Sequence, residues 1–422
     1  MKFSVIIPSH DPTYLADAVR SIWTQDVEAD IELLVVLNGK AAALVHDGLF
    51  QNTLDPRAGR PPRWTEIVAY DGSLKIGAIK NYGFMRARGE ILVELDHDDL
   101  LVPSALRELG EAFLKTGADF VYGNFAEFAD DGGAAGASVN SWDPGWGWRE
   151  RPIAFQEGPF LEPKVLSEVI QFESSPMSLQ KVYFAPHHPR AWKRDFYRKI
   201  GGHNVDLEVC DDHEILCRAY CAGKMYHLDR CLYLYRRHAE NTINTSQDKI
   251  LRATWQIYDQ WIEKMVLRWC LERNLPAVDL ALGGRPRSGW IPGFLENLTD
   301  GTIGALWADG VLDKYERPLE TMLEIYRALV PGGWLLSRTP SASGKGAFAN
   351  PLSKSYWNDL TFQYFTDKAF ARTIGQNAVR FQPTRLVEYM PSEWHSRHQS
   401  PYVFFDGIAL KGDVRGPGPV DI

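Results

Sequence analysis

The sequence has few of the features that mark membrane, secreted or nucleic-acid-binding proteins. It contains no apolar run of the roughly 20 residues that a membrane-spanning helix needs. Its five cysteines cannot all form pairs, which favours reduced thiols over a disulfide framework. Lysine and arginine number 46 against 54 acidic residues, and the net charge of -8 argues against nucleic acid as a partner, because phosphate contacts need clustered basic residues.

We also expect no secretory signal, because the strand-like residues 3–7 follow the first two residues directly. We therefore expect a cytoplasmic protein without a transmembrane segment. Hydrophobic residues make up 45% of the chain and charged residues 24%, a balance typical of globular proteins. At 422 residues the chain is too long for one ordinary core, so two domains are expected.

Strand and helix signals alternate in the amino-terminal part, which predicts an α/β domain with a mostly parallel sheet flanked by helices. Two of the predicted strands are continuous apolar runs, as expected for strands buried on both faces. The polar residues that follow them should lie at the carboxyl edge, where open α/β sheets bind ligands. The predicted strands are residues 3–7, 31–37, 65–70 and 91–95, and the predicted helices are residues 14–23 and 77–88.

An acidic segment follows the strand at residues 91–95. It contains Asp96, Asp98 and Asp99, with His97 between the first two. Three carboxylates within four residues repel each other, and ordering them is unfavourable unless a cation compensates their charge. A hard divalent ion shared with a diphosphate is a natural partner, whereas a solvated acidic turn explains the segment equally well on its own.

Three segments resemble, in the same order, the family 2 glycosyltransferases, whose nucleotide-sugar-binding domain has the GT-A fold. They are residues 5–10 (VIIPSH), residues 75–83 (KIGAIKNYG) with 87–90 (ARGE), and residues 95–99 (LDHDD). The resemblance extends over residues 1–241 and implies a nucleotide-diphosphate sugar as donor, a UDP-sugar first of all. By this resemblance the donor would contact Pro8, Ser9, His10, Asn38, Lys75, Asn81, Asp96 and Arg237. A metal ion, Mn²⁺ or Mg²⁺, would be held by Asp96, Asp98 and His238.

One departure from the family concerns the nucleotide. The family usually has a paired-aspartate turn that contacts the base and the ribose, and this chain has Leu37-Asn38-Gly39 there. An asparagine side chain both donates and accepts hydrogen bonds, so a contact to the nucleotide is still expected.

Residues 200–204 and 210–214 match the acceptor side of the same family. By this resemblance Asp212 is the general base and Asp211 is the second candidate. Direct, inverting displacement at the anomeric carbon needs a base that takes the proton from the incoming hydroxyl group. Carboxylates at a helix start can also serve only to favour the helix dipole, and this alternative stays open.

Residues 235–241 (YRRHAEN) resemble the family segment that closes over the diphosphate. Arg237 would neutralise charge on the leaving group, and His238 would be a further metal or phosphate ligand. Either residue alone is more often a structural one. Trp192 is interpreted as a platform on which a sugar stacks or, as is more usual for a large aromatic residue, as part of the core.

Two features concern the acceptor, which is expected to be a glycan, a lipid-linked molecule or a protein. Residues 130–148, rich in Gly, Pro and Trp, predict either a mobile lid or a surface loop with locally packed tryptophans. Processive synthases of the family carry membrane helices and a Gln-x-x-Arg-Trp segment, for which the nearest string here is residues 265–269 (MVLRW). Because the glutamine is missing, transfer of a single sugar is favoured.

Apolar residues recur at steps of three and four over residues 247–274, which predicts one long amphipathic helix. We interpret residues 246–275 as a connector between a GT-A domain at 1–245 and a second, smaller α/β domain at 276–422. This carboxy-terminal domain resembles the class I methyltransferases over residues 282–290, 308–313, 326–333 and 356–365.

The departures from the methyltransferases are severe. The turn at Gly283 and Gly284 lacks the usual glycine pattern, and too few residues separate it from Ala308 to form the strand whose acidic end holds the cofactor ribose. A Rossmann-like domain without methyltransferase activity is therefore expected, serving packing, homo-oligomerisation or acceptor docking. Two alternatives are a bifunctional enzyme that also methylates glycans, and a non-catalytic sugar-binding assembly protein, which has no physical need for so many clustered carboxylates.

Overall fold

The computed structural model describes residues 1–45, 64–70, 72, 74–129, 147–155, 164–182, 185–238, 247–280 and 287–418. The chain divides into two compact units, Met1–Trp261 and Ile262–Ile422. A ten-stranded sheet forms the centre of the first unit, and a six-stranded sheet forms the centre of the second.

The strands of the first unit are β1 Lys2–Ser9, β2 Asp30–Asn38, β3 Trp64–Tyr70, β4 Ile91–Glu94, β5 Leu100–Leu101, β6 Phe120–Ala129, β7 Arg149–Phe155, β8 Lys164–Ile170, β9 Arg190–Lys193 and β10 Met225–Arg237. Along the main path they follow the order β3-β2-β1-β4-β9-β6-β10-β5, while β8 pairs with β6 and β7. The four strands predicted from the sequence are confirmed, each within two residues at either end.

The sheet is mixed, so the prediction of a mostly parallel sheet is wrong for this unit. Strands β1 to β4 pair in parallel, as the alternation of strands and helices predicts. Strand β9 then lies between β4 and β6 and is antiparallel to both, and β5 is antiparallel to β10. The sequence signal covered only the first strands, where a helix crosses back after β1 and after β3, and such crossovers are what parallel pairing requires.

The helices of the first unit cover the sheet with their apolar faces. They are α1 Leu15–Trp23, α2 Ile76–Arg86, α3 Ala105–Thr116, α4 Pro176–Lys181, α5 Arg194–Lys199 and α6 Asp211–Ala222. Helix α1 buries Leu15, Val19 and Ile22, which lie on one face of a helix because their spacing is four and three. Helix α2 lies close to the sheet at Gly83, where an added Cβ would come within 2.7 Å of the Ile6 side chain.

A helix of 26 residues, α7 Gln247–Glu272, contains the boundary between the two units. The predicted long helix is thus confirmed, and it ends near Asn274, whose φ of 52° is left-handed. Its role as a connector remains a prediction. Among the helices that the structure describes, none is both long and apolar enough to cross a lipid bilayer.

The second unit is also α/β. Its strands are β11 Ala277–Asp279, β12 Ile291–Pro292, β13 Ile303–Asp309, β14 Leu329–Pro340, β15 Phe381–Tyr389 and β16 Tyr402–Ala409, and its helices are α8 Pro318–Ala328, α9 Gly346–Ala349, α10 Asp359–Thr366, α11 Lys368–Thr373 and α12 Glu393–Arg397. The sheet order is β12-β11-β13-β14-β16-β15. The first four of these strands pair in parallel, and β16 is antiparallel to β14 and β15.

Aromatic side chains fill the core of the second unit. Trp357, Phe362 and Phe405 are fully buried, and the rings of Phe362 and Phe405 stack with centroids 4.7 Å apart. Helix α8 adds Met322 and Ile325 to the same cluster. Two predicted features fall outside the described residues, namely the glycine turn at 283–284 and most of the predicted lid at 130–148.

Candidate functional site

Strands β1, β2 and β4 are adjacent and parallel, so their carboxyl ends meet at one edge of the sheet. Pro8 and Ser9 are buried at the end of β1, and the exposed His10 follows them. The ring of His10 meets that of His97 edge to face, with centroids 4.8 Å apart. The end of β1 therefore lies against the acidic segment that follows β4, at the edge where such sheets bind ligands.

Asn38 ends strand β2 at the same edge and is 7% exposed. Its side-chain nitrogen donates to the carbonyl oxygen of Leu74 at 3.2 Å. Among the described residues its side-chain oxygen has no hydrogen-bond partner. A buried acceptor without a partner is costly, so this oxygen is available to a ligand or to water.

Asp98 is paired with His238, the residue directly after β10. The Nε2 atom of His238 lies 2.9 Å from Oδ2 of Asp98, and both side chains are about 15% exposed. Burial is the largest single influence and would raise the pKa of Asp98, but the hydrogen bond from His238 and the charges of His97 and His238 together outweigh it, and the pKa lies below its ordinary value. Asp98 is thus an ionised carboxylate at the sheet edge, beside an imidazole.

Asp99 has a structural position instead. It is fully buried, and it accepts hydrogen bonds from the Tyr233 hydroxyl and from the backbone N–H of Arg236, both at 2.8 Å. Burial, together with the nearby charges of Asp98 and Asp96, raises its pKa well above the usual range. Asp99 therefore ties strand β10 to the acidic segment.

Asp96 faces a different set of side chains. Its Oδ2 lies 3.7 Å from Nε2 of His188, which lies 3.3 Å from Oε1 of Glu94. Within the described part of the chain, these three form the one group of potential metal ligands whose atoms all lie within 4.8 Å of each other. Glu94 is already compensated by Lys80 at 2.7 Å, so we attribute this group to a buried ion-pair network. Of the three predicted metal ligands, the structure pairs Asp98 with His238 and places Asp96 beside His188.

The ion-pair network has its centre at Glu94, which is fully buried in β4. Lys80 of helix α2 lies 2.7 Å from Glu94 and 3.3 Å from Asp211, and Arg190 of β9 lies 3.7 Å from Glu94. Burial opposes ionisation of Glu94, but Lys80, His188 and Arg190 together hold its pKa well below the usual range. Burial likewise disfavours a charged Lys80, yet Asp211 and Glu94 raise its pKa well above the usual range.

The two candidate bases begin helix α6 and differ in their surroundings. Asp211 is 6% exposed and faces Lys80, whereas the side chain of Asp212 is 27% exposed and accepts a hydrogen bond from Arg190 at 2.8 Å. Burial raises the pKa of Asp211 to about 6 despite Lys80. Burial acts in the same direction on Asp212 and is the largest single influence, but Arg190, Lys80 and the backbone N–H of His213 together outweigh it, and the pKa of Asp212 is lowered. Asp212 is therefore the ionised and accessible carboxylate of the pair.

The remaining predicted donor contacts lie in three places. Lys75 precedes helix α2, and its ammonium group donates to the carbonyl oxygen of Asp206 at 2.9 Å. Asn81 lies against Gly202, where an added Cβ would come within 2.2 Å of its side-chain oxygen. Arg237 lies 3.9 Å from Glu127.

The interpretation of Trp192 as a sugar platform is wrong. Its side chain is fully buried, with its ring 4.3 Å from that of Phe120 and 5.8 Å from that of Tyr197. The first three residues of β9 are all buried, so Trp192 lies in the core, where a large aromatic ring contributes most by burial.

Sequence reasoning missed the charged residues of the ion-pair network. Lys80 lies in residues 75–83, one of the segments that resemble the family, and Glu94 is the one charged residue of the apolar strand at 91–95. A charge within a buried strand indicates a buried partner, so Glu94 was a usable signal. No comparable signal marked Arg190, because its partner Asp212 lies 22 residues away in the chain.

Comparison with known proteins identifies one domain. Residues 4–201 match the sequence family described as Glycosyl transferase family 2. No curated protein matches the chain significantly. Among solved structures, S. aureus TarS 1-349 in complex with UDP-GlcNAc is similar at 15% identity and a TM-score of 0.43, over 64% of this chain and 73% of that one. GalNAc-T7 with UDP, GalNAc and Mn²⁺ is similar at 13% identity and a TM-score of 0.40, over 57% and 44%.

Proposed function

We propose that this glycosyltransferase transfers a single sugar from a nucleotide-diphosphate sugar to a hydroxyl acceptor, and the match of residues 4–201 to Glycosyl transferase family 2 supports the proposal. A UDP-sugar is the favoured donor, and the acceptor is a glycan, a lipid-linked molecule or a protein. The observation that carries the proposal is the pair of Asp98 and His238, which meet at the carboxyl edge although 140 residues separate them.

The pair of Asp98 and His238 fits a divalent cation. A carboxylate oxygen and an imidazole nitrogen 2.9 Å apart have the separation of neighbouring ligands around an octahedral ion, about 3 Å for ligand distances near 2.1 Å. Mn²⁺ accepts such a mixed set, and Mg²⁺ prefers the oxygen. When bound, the ion would neutralise charge on the diphosphate leaving group. Asp96 would contact the ion or the nucleotide ribose from the same segment.

Asp212 is the proposed general base of an inverting displacement. Its carboxylate is ionised and partly exposed, so it can take the proton of an acceptor hydroxyl group. Asp211 is less suited to this role because it is buried against Lys80. Ser9, His10, Asn38 and Asp96 are the proposed nucleotide contacts at the sheet edge, with Pro8 shaping the end of β1, while Lys75, Asn81 and Arg237 are proposed contacts further along the donor.

The second unit is proposed to be a methyltransferase-like domain without catalytic activity, which serves packing, homo-oligomerisation or acceptor docking. Two observations support the lack of activity. Strand β12, which follows the first strand of this unit, has only two residues, Ile291–Pro292. The carboxylate of Asp279, at the end of β11, accepts a hydrogen bond from the backbone N–H of Arg287 at 3.2 Å. The carboxylate that would face a cofactor is therefore already bound by the protein's own backbone.

A panel of UDP-sugars tests the proposal on the full chain. UDP-glucose, UDP-galactose, UDP-N-acetylglucosamine and UDP-N-acetylgalactosamine are each incubated with Mn²⁺ or with EDTA, and release of UDP is measured with water or mixed oligosaccharides as acceptor. At least one UDP-sugar should raise the melting temperature and release UDP only when Mn²⁺ is present. Binding and release that are equal in EDTA would contradict the metal site, and the lack of both with every donor would contradict the choice of UDP.

A further inference from the structure

Arg190 is a buried arginine that the family resemblance did not assign to any role. It begins strand β9 and is 1% exposed. Its Nε donates to the carbonyl oxygen of Pro186 at 2.9 Å, and its Nη2 donates to Oδ2 of Asp212 at 2.8 Å. Its other terminal nitrogen lies 3.7 Å from Oε1 of Glu94. The planar guanidinium is thus fixed at one end by the backbone and reaches the carboxylate of Asp212 with the other.

The two oxygens of Asp212 are held from different sides. Oδ2 accepts from Arg190, and Oδ1 accepts from the backbone N–H of His213 at 2.8 Å. The carboxylate therefore cannot rotate without losing a hydrogen bond. The side chain is still 27% exposed, so the carboxylate is accessible from solvent. Neighbouring Asp211 is held by Lys80 instead, so each aspartate has its own cation.

On the basis of the proposed function, we propose that Arg190 is a positioning residue for the transfer, which fixes the carboxylate of Asp212 in the orientation that receives the proton of the acceptor hydroxyl. A general base acts only when its oxygen is within hydrogen-bond reach of that proton, so a freely rotating carboxylate is a poorer catalyst. Arg190 contacts neither donor nor acceptor in this role and acts through Asp212 alone.

The charges around Asp212 set its pKa, so the pH dependence of activity can reveal the effect of Arg190. The charged and titratable groups that face it are Arg190 and His187 beside β9, Lys80 of α2, Glu94 of β4, His203 of the loop before α6, and Cys210, Asp211, His213 and Cys217 at and after the start of α6. Burial raises the pKa of Asp212, and Arg190 is the largest of the influences that lower it. Removing the guanidinium therefore raises this pKa. Since the base must be deprotonated, the acid limb of activity should move to higher pH.

A purely structural role for Arg190 is the competing explanation. The guanidinium also lies near the buried carboxylate of Glu94, and its loss would weaken the network around Lys80. Such a role would lower stability and leave the acid limb of the active fraction unchanged. Lower stability is expected under both explanations, so the melting temperature does not distinguish them. The pH profile and kcat of the active fraction do.

The test compares Arg190→Gln and Arg190→Lys in the full chain with Asp212→Asn. Arg151→Gln is the matched control, because Arg151 also pairs with a buried carboxylate, Glu168, but on the hairpin of β7 and β8. UDP release from the best UDP-sugar is followed against pH, and UDP affinity with Mn²⁺ is measured by calorimetry. Arg190→Gln should lower kcat about tenfold or more, leave the affinity for UDP within about twofold, and move the acid limb of kcat/KM upward.

Arg190→Lys decides the question if the glutamine variant folds poorly. It keeps the positive charge and loses the fork geometry, so the acid limb should stay near that of the wild type while kcat falls. A lysine variant with wild-type kcat would overturn the proposal, as would an unmoved acid limb in a folded glutamine variant. Wild type without any UDP release would contradict the choice of a UDP-sugar as donor, which is a failure distinct from that of the Arg190 proposal. Asp212→Asn with normal turnover would contradict the choice of base and, with it, the role of Arg190.

Discussion

The Nε2 atom of His238 lies 2.9 Å from Oδ2 of Asp98, at the carboxyl edge of the larger sheet. Strand β10 carries the histidine to this position because Arg236, two residues earlier, donates its backbone N–H to Asp99 and its Nε to the carbonyl oxygen of Asp98. The end of β10 is thus bound to the acidic segment by backbone and side chain together. A ligand that binds both Asp98 and His238 therefore finds the two side chains already held next to each other.

We predict that Asp98→Asn and His238→Ala each weaken the affinity for UDP in Mn²⁺ by at least about tenfold, because each removes a ligand of the proposed ion. Calorimetry with UDP in Mn²⁺ and in EDTA measures the metal-dependent part. Asp195→Asn is the control, since that aspartate is 90% exposed on helix α5. Unchanged Mn²⁺-dependent affinity in both variants would place the metal elsewhere.

For the base, we predict that Asp212→Asn lowers kcat by about a hundredfold or more while donor affinity is retained, because a positioned base contributes at least that factor. The comparison with Asp211→Asn is informative, since Asp211 is buried against Lys80 and should affect stability more than turnover. Steady-state UDP release and calorimetry measure the two quantities separately. Near-normal turnover of Asp212→Asn together with loss in Asp211→Asn would exchange the two roles.

The ion-pair network predicts a large stability effect at Lys80. Lys80→Met leaves Glu94 and Asp211 buried without their shared cation, and breaking a buried pair in this way costs about 3–5 kcal/mol. Urea unfolding followed by tryptophan fluorescence measures the loss. Lys249→Met is the control, because Lys249 is 63% exposed. The double variant Lys80→Met/Glu94→Gln should recover part of the stability, and no recovery would show that Glu94 is not the main partner.

Asp211 predicts a pH dependence of stability. Burial raises its pKa in the folded protein to about 6, above the ordinary value of 3.8. The native state therefore holds this proton more tightly than the unfolded state, and the stability that Asp211 contributes is full below the ordinary value and is lost as the pH rises through about 6. Relative to Asp211→Asn, the wild type should lose unfolding free energy between pH 4 and pH 7. If the unfolding free energy of the wild type rises relative to that of Asp211→Asn over this range, the raised pKa of Asp211 is contradicted.

In the second unit, we predict that S-adenosylmethionine and S-adenosylhomocysteine do not bind at micromolar concentration. The guanidinium of Arg287 lies 4.2 Å from the Trp307 ring centre and bonds both oxygens of Glu263, while the Arg287 backbone binds Asp279. These contacts occupy the end of β11, where a cofactor would approach the sheet. Calorimetry on the full chain is the measurement, and UDP with Mn²⁺ is the positive control. Micromolar binding of either compound would show an active methyltransferase site.

Local pattern was sufficient for the individual elements. Apolar runs predicted β1, β2 and β4 nearly to the residue, because strands buried on both faces are apolar throughout. The spacing of three and four predicted α1 and α7, because a helix buried on one face repeats its apolar residues with the period of its backbone. The direction of β9 was not predictable in this way. A strand of four residues, Arg190–Lys193, has the same periodicity whether it runs parallel or antiparallel, and only its neighbours β4 and β6 determine the choice.

For the site, the sequence by itself determined which residue types were present, because carboxylates at the end of a buried strand and at a helix start are visible as short motifs. It predicted Asp98, His238 and Asp212 as residues of interest without any distance between them. The tertiary structure alone decided that Asp98 contacts His238 and that Asp99 accepts a hydrogen bond from Tyr233. It also decided that Asp211 pairs with Lys80 while Asp212 pairs with Arg190. The physical reason is that the pKa and the role of a carboxylate depend on its burial and on the nearest charges. These charged partners come from strands and helices that are far apart in the chain.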